Sequence, residues 1–351
     1  MNMRIPGSLR LRERGVTLVE LLVALVLGLL LTAGMIQVFV GNRTTFEFND
    51  SLSRIQENAR FTLDHIAYSA RMGGYKGCLS DVAVYNNLTG GADDFRDNID
   101  LGVEGYDANG SSVGWTPGLP AELAGLVRAG SDVLVVRSVG GGATPLVSPF
   151  TDGSQLFVAP GHDFMAGEIM VVADCQKASV FQATDIAGGG ANIVHADTGS
   201  FVPGNAVADW DAEQDYGLGA ELSRLQTLAF YVGTRNDGRP ALFQLRLTAA
   251  GAAASFTAEE LAADVETLQV RYGIDSDSNG DVDELVSANA VLDWRRVVSV
   301  EVSLLARAAD EYGTETDSAV YRMGGTTFDP ADDRRLRQVF TTVVGVRNRL
   351  P

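Results

Sequence analysis

RERGVTLVELLVALVLGLLLTAGMIQVFV, residues 12–40, joins a short basic leader to an uncharged, mostly apolar run from Leu21 to Val40. At about 1.5 Å of helical rise per residue, this run is long enough to cross a hydrocarbon core of roughly 30 Å. No A-x-A cleavage site follows, because the run continues directly into Gly41, so it is not an ordinary secretory signal. The sequence therefore predicts one membrane-spanning helix that stays with the mature protein.

Glu20 places a carboxylate at the start of this apolar run. An ionised carboxylate near the centre of a bilayer costs about 2.5–3.5 kcal/mol, so a partner is expected there. The alternative is a carboxylate close enough to the interface to remain hydrated. The charge alone leaves both interpretations open.

The six residues from Gly15 to Glu20, G-V-T-L-V-E, resemble the type III signal of type IV prepilins and pseudopilins. The resemblance implies that residues 1–15 are a leader, cleaved after Gly15 on the cytoplasmic side by the prepilin peptidase. Val16 would become the N-methylated terminus, and Glu20 would pair with the Val16 ammonium of a neighbouring subunit. Most family members have Phe or Met where this chain has Val16.

The distribution of charge predicts the topology and excludes one class of partner. Four arginines precede the span and only Arg43 closely follows it, which places the N-terminus in the cytoplasm and everything after Val40 in the periplasm of a Gram-negative cell. The formal net charge is -18. Such an acidic chain argues against binding nucleic acid through phosphates or docking on anionic lipid, so membrane contact is expected only through the N-terminal helix.

Two cysteines, Cys78 and Cys175, would lie in that oxidising compartment. They are too far apart in sequence for a C-x-x-C motif, and the three histidines are scattered, so no metal cluster is predicted. A disulfide closing this long loop would be worth about 4–5 kcal/mol in the chain-entropy model. We expect this bridge, and the alternative is two separately buried thiols.

Beyond the span, apolar residues recur at three- and four-residue steps with charged residues between them, which is typical of an amphipathic helix. These apolar positions are Leu52, Ile55, Ala59, Leu63, Ile66 and Ala70. We expect one helix from about Val16 to Met72, roughly 85 Å long at about 1.5 Å per residue. Gly73, Gly74 and Gly77 should end it just before Cys78.

The rest of the chain predicts a β-rich domain. Strands are expected at residues 132–137, 167–173, 180–184, 222–232, 241–247, 265–274, 296–307 and 336–346, and several alternate with the two-residue period of half-buried antiparallel strands. The predicted fold class is therefore α+β. The expected parts are a membrane and assembly helix (16–40), an amphipathic half with its Gly-rich turn (41–77) and a globular domain (78–351), in which Gly-, Asp- and Asn-rich residues 79–130 form an irregular insertion.

Four segments resemble the PilW family of type IV pilus minor pilins: Tyr216–Leu247, Asp264–Glu284, the ending VGVRNRLP, and ARMGGYKGC at Ala70–Cys78. The resemblance implies a pilin-like fold and a non-enzymatic subunit that waits in the inner membrane, joins the pilus at the cell surface, and takes part in assembly initiation and a tip complex. The implied partners are other minor pilins, the major pilin, the prepilin peptidase, the assembly platform and a large tip adhesin.

Two other functions compete with this one. A minor pseudopilin of type II secretion, of the J type, shares the anchor and a β-rich domain. An anchored periplasmic enzyme is disfavoured, because the sequence has no G-x-S-x-G, P-loop or H-E-x-x-H motif. His65, on the amphipathic helix, is expected to be a solvated residue and not a general base.

An acidic loop follows the strand predicted at 265–274. Its possible calcium ligands are Asp275, Asp277, Asn279, Asp281, Asp283 and Glu284. The D-x-D-x-N-G spacing brings alternate oxygens together, and Gly280 permits the sharp turn. The twelfth position is Val286 instead of the bidentate Glu of an EF-hand. No cofactor is required; a structural calcium ion and a solvated Asx-rich loop both remain open.

Overall fold

The computed structural model describes residues 15–77, 82–91, 94–110, 114–312 and 315–349. Its one α-helix among these residues, α1, spans Leu18–Met72 and so begins two residues after the predicted start. The chain forms two compact units, residues 1–51 and 52–351. In the first unit, helical residues 18–50 are all exposed. Short 3-10 helices lie at Gly188–Gly190, Ala212–Gln214, Ala288–Ala290, Trp294–Arg296 and Arg347–Arg349.

Eighteen strands make up the rest of the regular structure among the described residues. In chain order they are β1 (Ala83–Asn86), β2 (Val103–Ala108), β3 (Trp115–Thr116), β4 (Val133–Pro145), β5 (Gln155–Phe157), β6 (Ile169–Ala173), β7 (Lys177–Gln182), β8 (Asp185–Ala187), β9 (Asn192–Val194), β10 (Glu221–Thr234), β11 (Pro240–Ala250), β12 (Ala253–Ala263), β13 (Val265–Ile274), β14 (Glu284–Val286), β15 (Val297–Arg307), β16 (Tyr321–Met323), β17 (Thr326–Phe328) and β18 (Arg337–Gly345). The predicted α+β class is confirmed: one long N-terminal helix is followed by a β-rich domain.

The largest sheet is organised around β10. The order β1-β7-β6-β10-β4-β2-β3 gives the main path, while β11 pairs with the second half of β10 and β12 pairs with β11. Along one edge, β10 therefore pairs with β4. Along its other edge, the first residues of β10 pair with β6 and the later residues pair with β11. A second sheet has the antiparallel order β14-β13-β15-β18, and two small sheets, β5-β9-β8 and β16-β17, lie in the long connections.

The part of α1 in the second unit packs against both large sheets. The predicted apolar stripe is confirmed at Ile55, Ala59, Leu63, Ile66 and Ala70, which are all buried. Leu63, Ile66 and Ala70 share one core with Leu134, Val136, Phe230 and Val232 of the β10 sheet and with Leu268, Val270, Val302 and Leu304 of the C-terminal sheet. Burial of this stripe at roughly 25 cal/mol per Å² of apolar surface holds the helix to the domain.

His65 corrects one sequence prediction, because it is half-buried and not a solvated residue. Its Nε2 lies 2.6 Å from the side-chain amide of Gln244 on β11, and its ring packs edge-on against Phe230 at 5.8 Å between centroids. The helix presents His65 beside the buried stripe, where β10 and β11 reach it. The histidine is therefore part of the helix–sheet contact.

The predicted irregular insertion, residues 79–130, contributes three short strands, β1, β2 and β3, to the large sheet. The β1 strand pairs in parallel with β7, with Ala83 opposite Lys177. Between these strands the described chain consists mainly of turns and irregular segments, as the glycine- and asparagine-rich composition predicts, with one isolated bridge from Leu88 to Asn205. The insertion therefore supplies strands at both ends of the main strand order of this sheet.

The end of α1 is fixed by glycine and by the C-terminal residues. Gly74 has a φ of +75°, a left-handed conformation that glycine adopts without steric cost after a helix. The side-chain Nδ2 of Asn348 lies 3.4 Å from the carbonyl oxygen of Met72 and 3.3 Å from that of Gly73. Arg349 donates a hydrogen bond to the carbonyl of Asp100. The C-terminal end of α1 and the last described residues of the chain thus meet here.

A buried ionic network ties the C-terminal sheet to the connection before β18. The Arg337 side chain has no solvent exposure, and it donates to Glu266 on β13 at 2.7 Å, to Asp333 at 2.7 Å and to Asp317 at 3.1 Å. Because β15 lies between β13 and β18, the ion pair between Arg337 of β18 and Glu266 of β13 spans the β15 strand. Breaking such a pair from one side leaves an uncompensated charge and typically costs about 3–5 kcal/mol.

Candidate assembly site at the start of the long helix

Thr17 and Glu20 form a reciprocal cap at the start of α1. Thr17 immediately precedes the helix, and its N–H and hydroxyl donate to Glu20 Oε2 at 2.9 and 3.0 Å. The Glu20 N–H in turn lies 3.3 Å from Thr17 Oγ1. This T-x-x-E capping box satisfies free N–H groups of the first turn and places a carboxylate at the positive end of the helix dipole.

The sequence prediction named Glu20 but not Thr17. The expected partner of the carboxylate was the ammonium of another subunit, whereas the structure also supplies two donors from the same chain. Both donors bond to Oε2, and no bond from the described residues to Oε1 is found. Since an ionised carboxylate offers about four acceptor positions, Glu20 can keep its cap and still accept a further donor.

The predicted cleavage position lies directly before this cap. Gly15 and Val16 are outside the helix and exposed, with 71% of Val16 accessible to solvent. No atom lies within 4 Å of a Cβ built on Gly15. Residues 1–14 of the predicted leader are outside the described residues.

The helix that follows is apolar enough to span a membrane. By length and composition it contains an 18-residue window with a mean hydropathy of 2.5, none of which is buried in the protein. Two of its hydroxyl groups are satisfied within the helix: the Thr32 hydroxyl donates to the Gly28 carbonyl at 2.8 Å and the Thr44 hydroxyl to the Val40 carbonyl at 3.0 Å. Such internal bonds suit a segment that has no water around it.

The acidic loop is a second candidate site. Carboxylate oxygens of Asp275, Asp277 and Asp283 lie within 4.8 Å of one another, the one such acidic or histidine group among the described residues. Asp275 is buried, although it sits in an otherwise exposed loop. Gly280, with a φ of +91°, makes the turn that was predicted for it.

Hydrogen bonds within the loop lower the pKa values of two of these carboxylates, those of Asp275 and Asp283. Asp275 Oδ2 accepts the Gly280 N–H at 2.8 Å, which lowers the pKa of Asp275 below its usual range. Asp283 Oδ2 accepts the hydroxyl and the N–H of Ser276, which likewise lowers the pKa of Asp283. Arg296 donates to the Ser276 carbonyl and adds a positive charge beside the loop.

The other predicted ligands are not part of the three-carboxylate group. Asn279 Oδ1 accepts the Asp281 N–H at 2.7 Å, and Glu284 begins β14, where it pairs with Ile274. Three carboxylates supply only part of the six to eight oxygens that Ca²⁺ takes, so water or main-chain oxygens would have to complete a shell. The calcium site stays a prediction.

Cys78, one half of the predicted disulfide, lies outside the described residues. Cys175 lies in the turn between β6 and β7. Gly77 is near that turn, because a Cβ built on it would be 3.4 Å from the Cβ of Ala173. The bridge stays a prediction, and this proximity supports it.

Comparisons with known proteins agree with both N-terminal and C-terminal resemblances. Residues 229–348 match the family model described as Type IV Pilus-assembly protein W, and residues 10–36 match the prokaryotic N-terminal methylation motif. No curated protein sequence matches the chain. Among solved structures, a type IV-like pilin from Thermus thermophilus is 15% identical with a TM-score of 0.24, over 53% of this chain and 87% of that one. The two family-model matches thereby confirm the resemblances over the residues that they cover: a prepilin methylation motif at residues 10–36 and a PilW-family region at residues 229–348.

Proposed function

We propose that this protein is a minor pilin of a type IV pilus that takes part in the initiation of pilus assembly and in a tip complex. The observation that carries the proposal is the exposed apolar helix headed by the Glu20–Thr17 cap. An apolar helix of this length needs either lipid or other apolar helices around it. In a pilin, lipid surrounds this helix in the inner membrane, and the apolar helices of other subunits surround it in the fibre.

In this proposal the chain begins as a single-pass protein with its N-terminus in the cytoplasm and residues after Val40 in the periplasm. The prepilin peptidase cuts between Gly15 and Val16, which are exposed and non-helical. The cut creates an ammonium at Val16, which is then N-methylated. Thr17 becomes the second residue of the mature chain, so the capping box survives cleavage.

The free Oε1 of Glu20 gives the assembly contact a physical basis. The Val16 ammonium of a neighbouring subunit would carry one positive charge into an apolar environment, where an ion pair is much stronger than in water. Because Thr17 already fixes the Glu20 carboxylate, little side-chain entropy is lost when the pair forms. The contact would set the position of one subunit relative to the next.

The partners of the proposed function are other minor pilins, the major pilin, the assembly platform and a large tip adhesin. The role is structural and needs no catalysis. A Cys78–Cys175 bridge would secure the junction between the helix end and the β-domain after export. A calcium ion in the acidic loop would serve the same purpose at the other sheet.

The test removes the charge of Glu20 with and without its hydrogen bond to Thr17. Glu20→Gln keeps an oxygen that can accept the Thr17 N–H but removes the charge, and Glu20→Ala removes both. We expect both variants to remain in the inner membrane at normal levels and to be strongly depleted from sheared pili, as measured by quantitative immunoblotting. Thr17→Ser, which keeps the hydroxyl, is the matched control and should assemble normally.

Intact mass of the purified protein tests the processing step. The mature chain should begin at Val16, and Gly15→Leu should retain residues 1–15. Glu20→Gln at wild-type levels in sheared pili would refute the assembly role. Recovery of the wild-type chain only with type II secretion subunits, and never in pili, would assign it to a pseudopilus instead.

A further inference from the structure

We propose that the free edge of β18, with the groove beside it, is a docking site for an extended segment of a partner protein. The segment would add to the C-terminal sheet as a fifth strand. The site lies within the folded domain and is separate from the N-terminal assembly site, so this proposal does not rest on the proposed function.

The backbone of β18 presents unpaired groups along one side. The β18 strand is last in the sheet order β14-β13-β15-β18. The Val346 N–H donates to the Val298 carbonyl and the Ala308 N–H to the Leu336 carbonyl, so in this antiparallel ladder the even-numbered residues of β18 face β15. The odd-numbered residues Val339, Thr341, Val343 and Gly345 therefore direct their N–H and C=O groups away from the sheet. Among the described residues no backbone partner of these outward groups is found.

This edge lacks the features that usually prevent strand addition. Residues 338–345, QVFTTVVG, contain no charge and no proline, and the pairing with β15 has no register shift. Val343 is 63% exposed. By contrast, the edge strand β12 carries the exposed Glu259 and Glu260 and has a shifted register with β11. Charges and bulges are the devices that protect edges, so β12 is protected and β18 is not.

A groove lies beside the unprotected edge. It has a volume of about 590 Å³ and runs between α1 and β18. Its lining residues are Gln56, Glu57, Arg60, Phe61, Asp64, Gln338 and Phe340. Phe61 is 63% exposed there. A strand paired with β18 would point alternate side chains into this groove, which is how sheet-edge recognition acquires sequence specificity.

The lining indicates the chemistry of the occupant. Phe61 and Phe340 fit an apolar side chain, and the carboxylates of Glu57 and Asp64 outnumber the single guanidinium of Arg60. An extended segment with an apolar residue followed or preceded by a basic one would complement both features. The unpaired backbone groups require that the segment be extended, because only a strand matches their spacing.

A second copy of β18 does not fit the groove. On the face of β18 that borders the groove, Val344 and Val346 are buried in the core of their own domain. Phe340 also packs against that core. In a second copy the corresponding side chains would likewise be buried in its own core, so they could not enter the groove. The occupant is therefore a segment of a partner protein.

The experiment uses the full-length protein in detergent micelles and a phage-displayed library of linear nine-residue peptides as the probe. Peptides are selected on the wild-type protein, and their Kd values are measured by fluorescence anisotropy. Val343→Pro removes one outward N–H without touching the ladder to β15, and Val343→Lys adds an edge charge with the backbone intact. Val343→Thr, which keeps the N–H, is the matched control. Phe61→Glu tests the groove, and melting temperatures verify that each variant is folded.

We expect selected peptides to bind at least about tenfold more weakly to Val343→Pro and Val343→Lys, to stay within about twofold for Val343→Thr, and to weaken several-fold for Phe61→Glu, as expected for lost hydrogen bonds and apolar contacts. Hydrogen exchange resolved at single amides should show new protection at Val339, Thr341 and Val343 and unchanged exchange at their even-numbered neighbours.

Three results would overturn the proposal. The first is a selection that yields no peptide distinguishing Val343→Pro from Val343→Thr. The second is binding without the alternating protection, which would mean that the groove binds peptides without strand addition. The third is self-association of the wild-type protein that Val343→Lys abolishes, which would make a second copy the occupant.

Discussion

His195 should make the stability of the domain depend on pH. Its side chain is completely buried, with ring centroids 4.4 Å from Trp210, 5.3 Å from Phe181 and 5.6 Å from Phe150. Neither ring nitrogen has a hydrogen-bond partner among the described residues. Burial in this aromatic cluster lowers the pKa of His195 from 6.5 to about 4, because the imidazolium would lose its hydration without gaining a compensating bond.

The sign and size of the effect follow from the two pKa values. Above pH 6.5 the imidazole is neutral in both states and contributes no pH dependence. Below pH 6.5 the unfolded chain binds a proton that the folded chain excludes until about pH 4, so stability falls as the pH falls across this window. At about 1.4 kcal/mol per pH unit, the loss is roughly 2.5 kcal/mol at pH 4.5 and at most about 3.5 kcal/mol at lower pH.

The assay compares the wild-type protein with His195→Phe, which keeps an aromatic ring and cannot titrate. Urea unfolding of the full chain in detergent micelles, followed by tryptophan fluorescence, would be measured at pH 7.5 and 4.5. Asp97 and Asp132, whose pKa values burial raises to about 7, give the opposite pH dependence, but they are common to both proteins and cancel in the comparison.

We expect the unfolding free energy of the wild type, relative to the variant, to drop by about 2.5 kcal/mol between pH 7.5 and 4.5. His195→Gln, a second neutral replacement, should behave as His195→Phe does in its pH dependence. A wild-type-to-variant difference that is the same at both pH values would refute the reasoning, since it would mean that His195 is protonated in the folded state or reaches water.

Three further predictions concern the domain. Gly105→Ala should destabilise the fold by about 1–3 kcal/mol, because a Cβ there would be 1.8 Å from Tyr272 Oη; an unchanged urea midpoint would contradict this close approach. Reduction should lower the melting temperature markedly by opening the Cys78–Cys175 bridge, whereas two alkylatable thiols in unreduced protein would rule the bridge out. Millimolar calcium should raise the melting temperature of the wild type but not of Asp275→Ala. A melting temperature that changes with neither calcium nor chelator would refute the calcium site and favour the solvated loop.

The long periodic elements were predictable because their burial is one-sided and local in sequence. The buried stripe of α1 recurs every three or four residues, and β13 has the predicted bounds, Val265–Ile274. The β12 strand, AASFTAEELAA, was missed because alanine and glutamate favour helix, and only its pairing with β11 makes it a strand. The parallel pairing of β1 with β7 joins segments about ninety residues apart, which no local pattern can indicate.

In the candidate sites too, features set by neighbouring residues were predictable, and features set by distant contacts were not. The Thr17–Glu20 cap could have been predicted from T-L-V-E, since a capping box is a local pattern, although only its glutamate was singled out. His65 was placed incorrectly because its partner Gln244 is 179 residues away. The acidic loop had readable spacing, but which carboxylates converge depends on the turn at Gly280 and on the position of β14.

The contact between Asn348 and the carbonyl groups of Met72 and Gly73 imposes an order on biosynthesis. A chain that is synthesised and exported from its N-terminus makes α1 first, yet the end of this helix receives its side-chain donor only when almost every later residue has emerged. The β18 strand and the Arg337 network also emerge late. The apolar stripe of α1 therefore stays partly exposed throughout translocation. At about 5–20 residues per second, that wait lasts tens of seconds, during which the apolar stripe is open to chaperones and proteases.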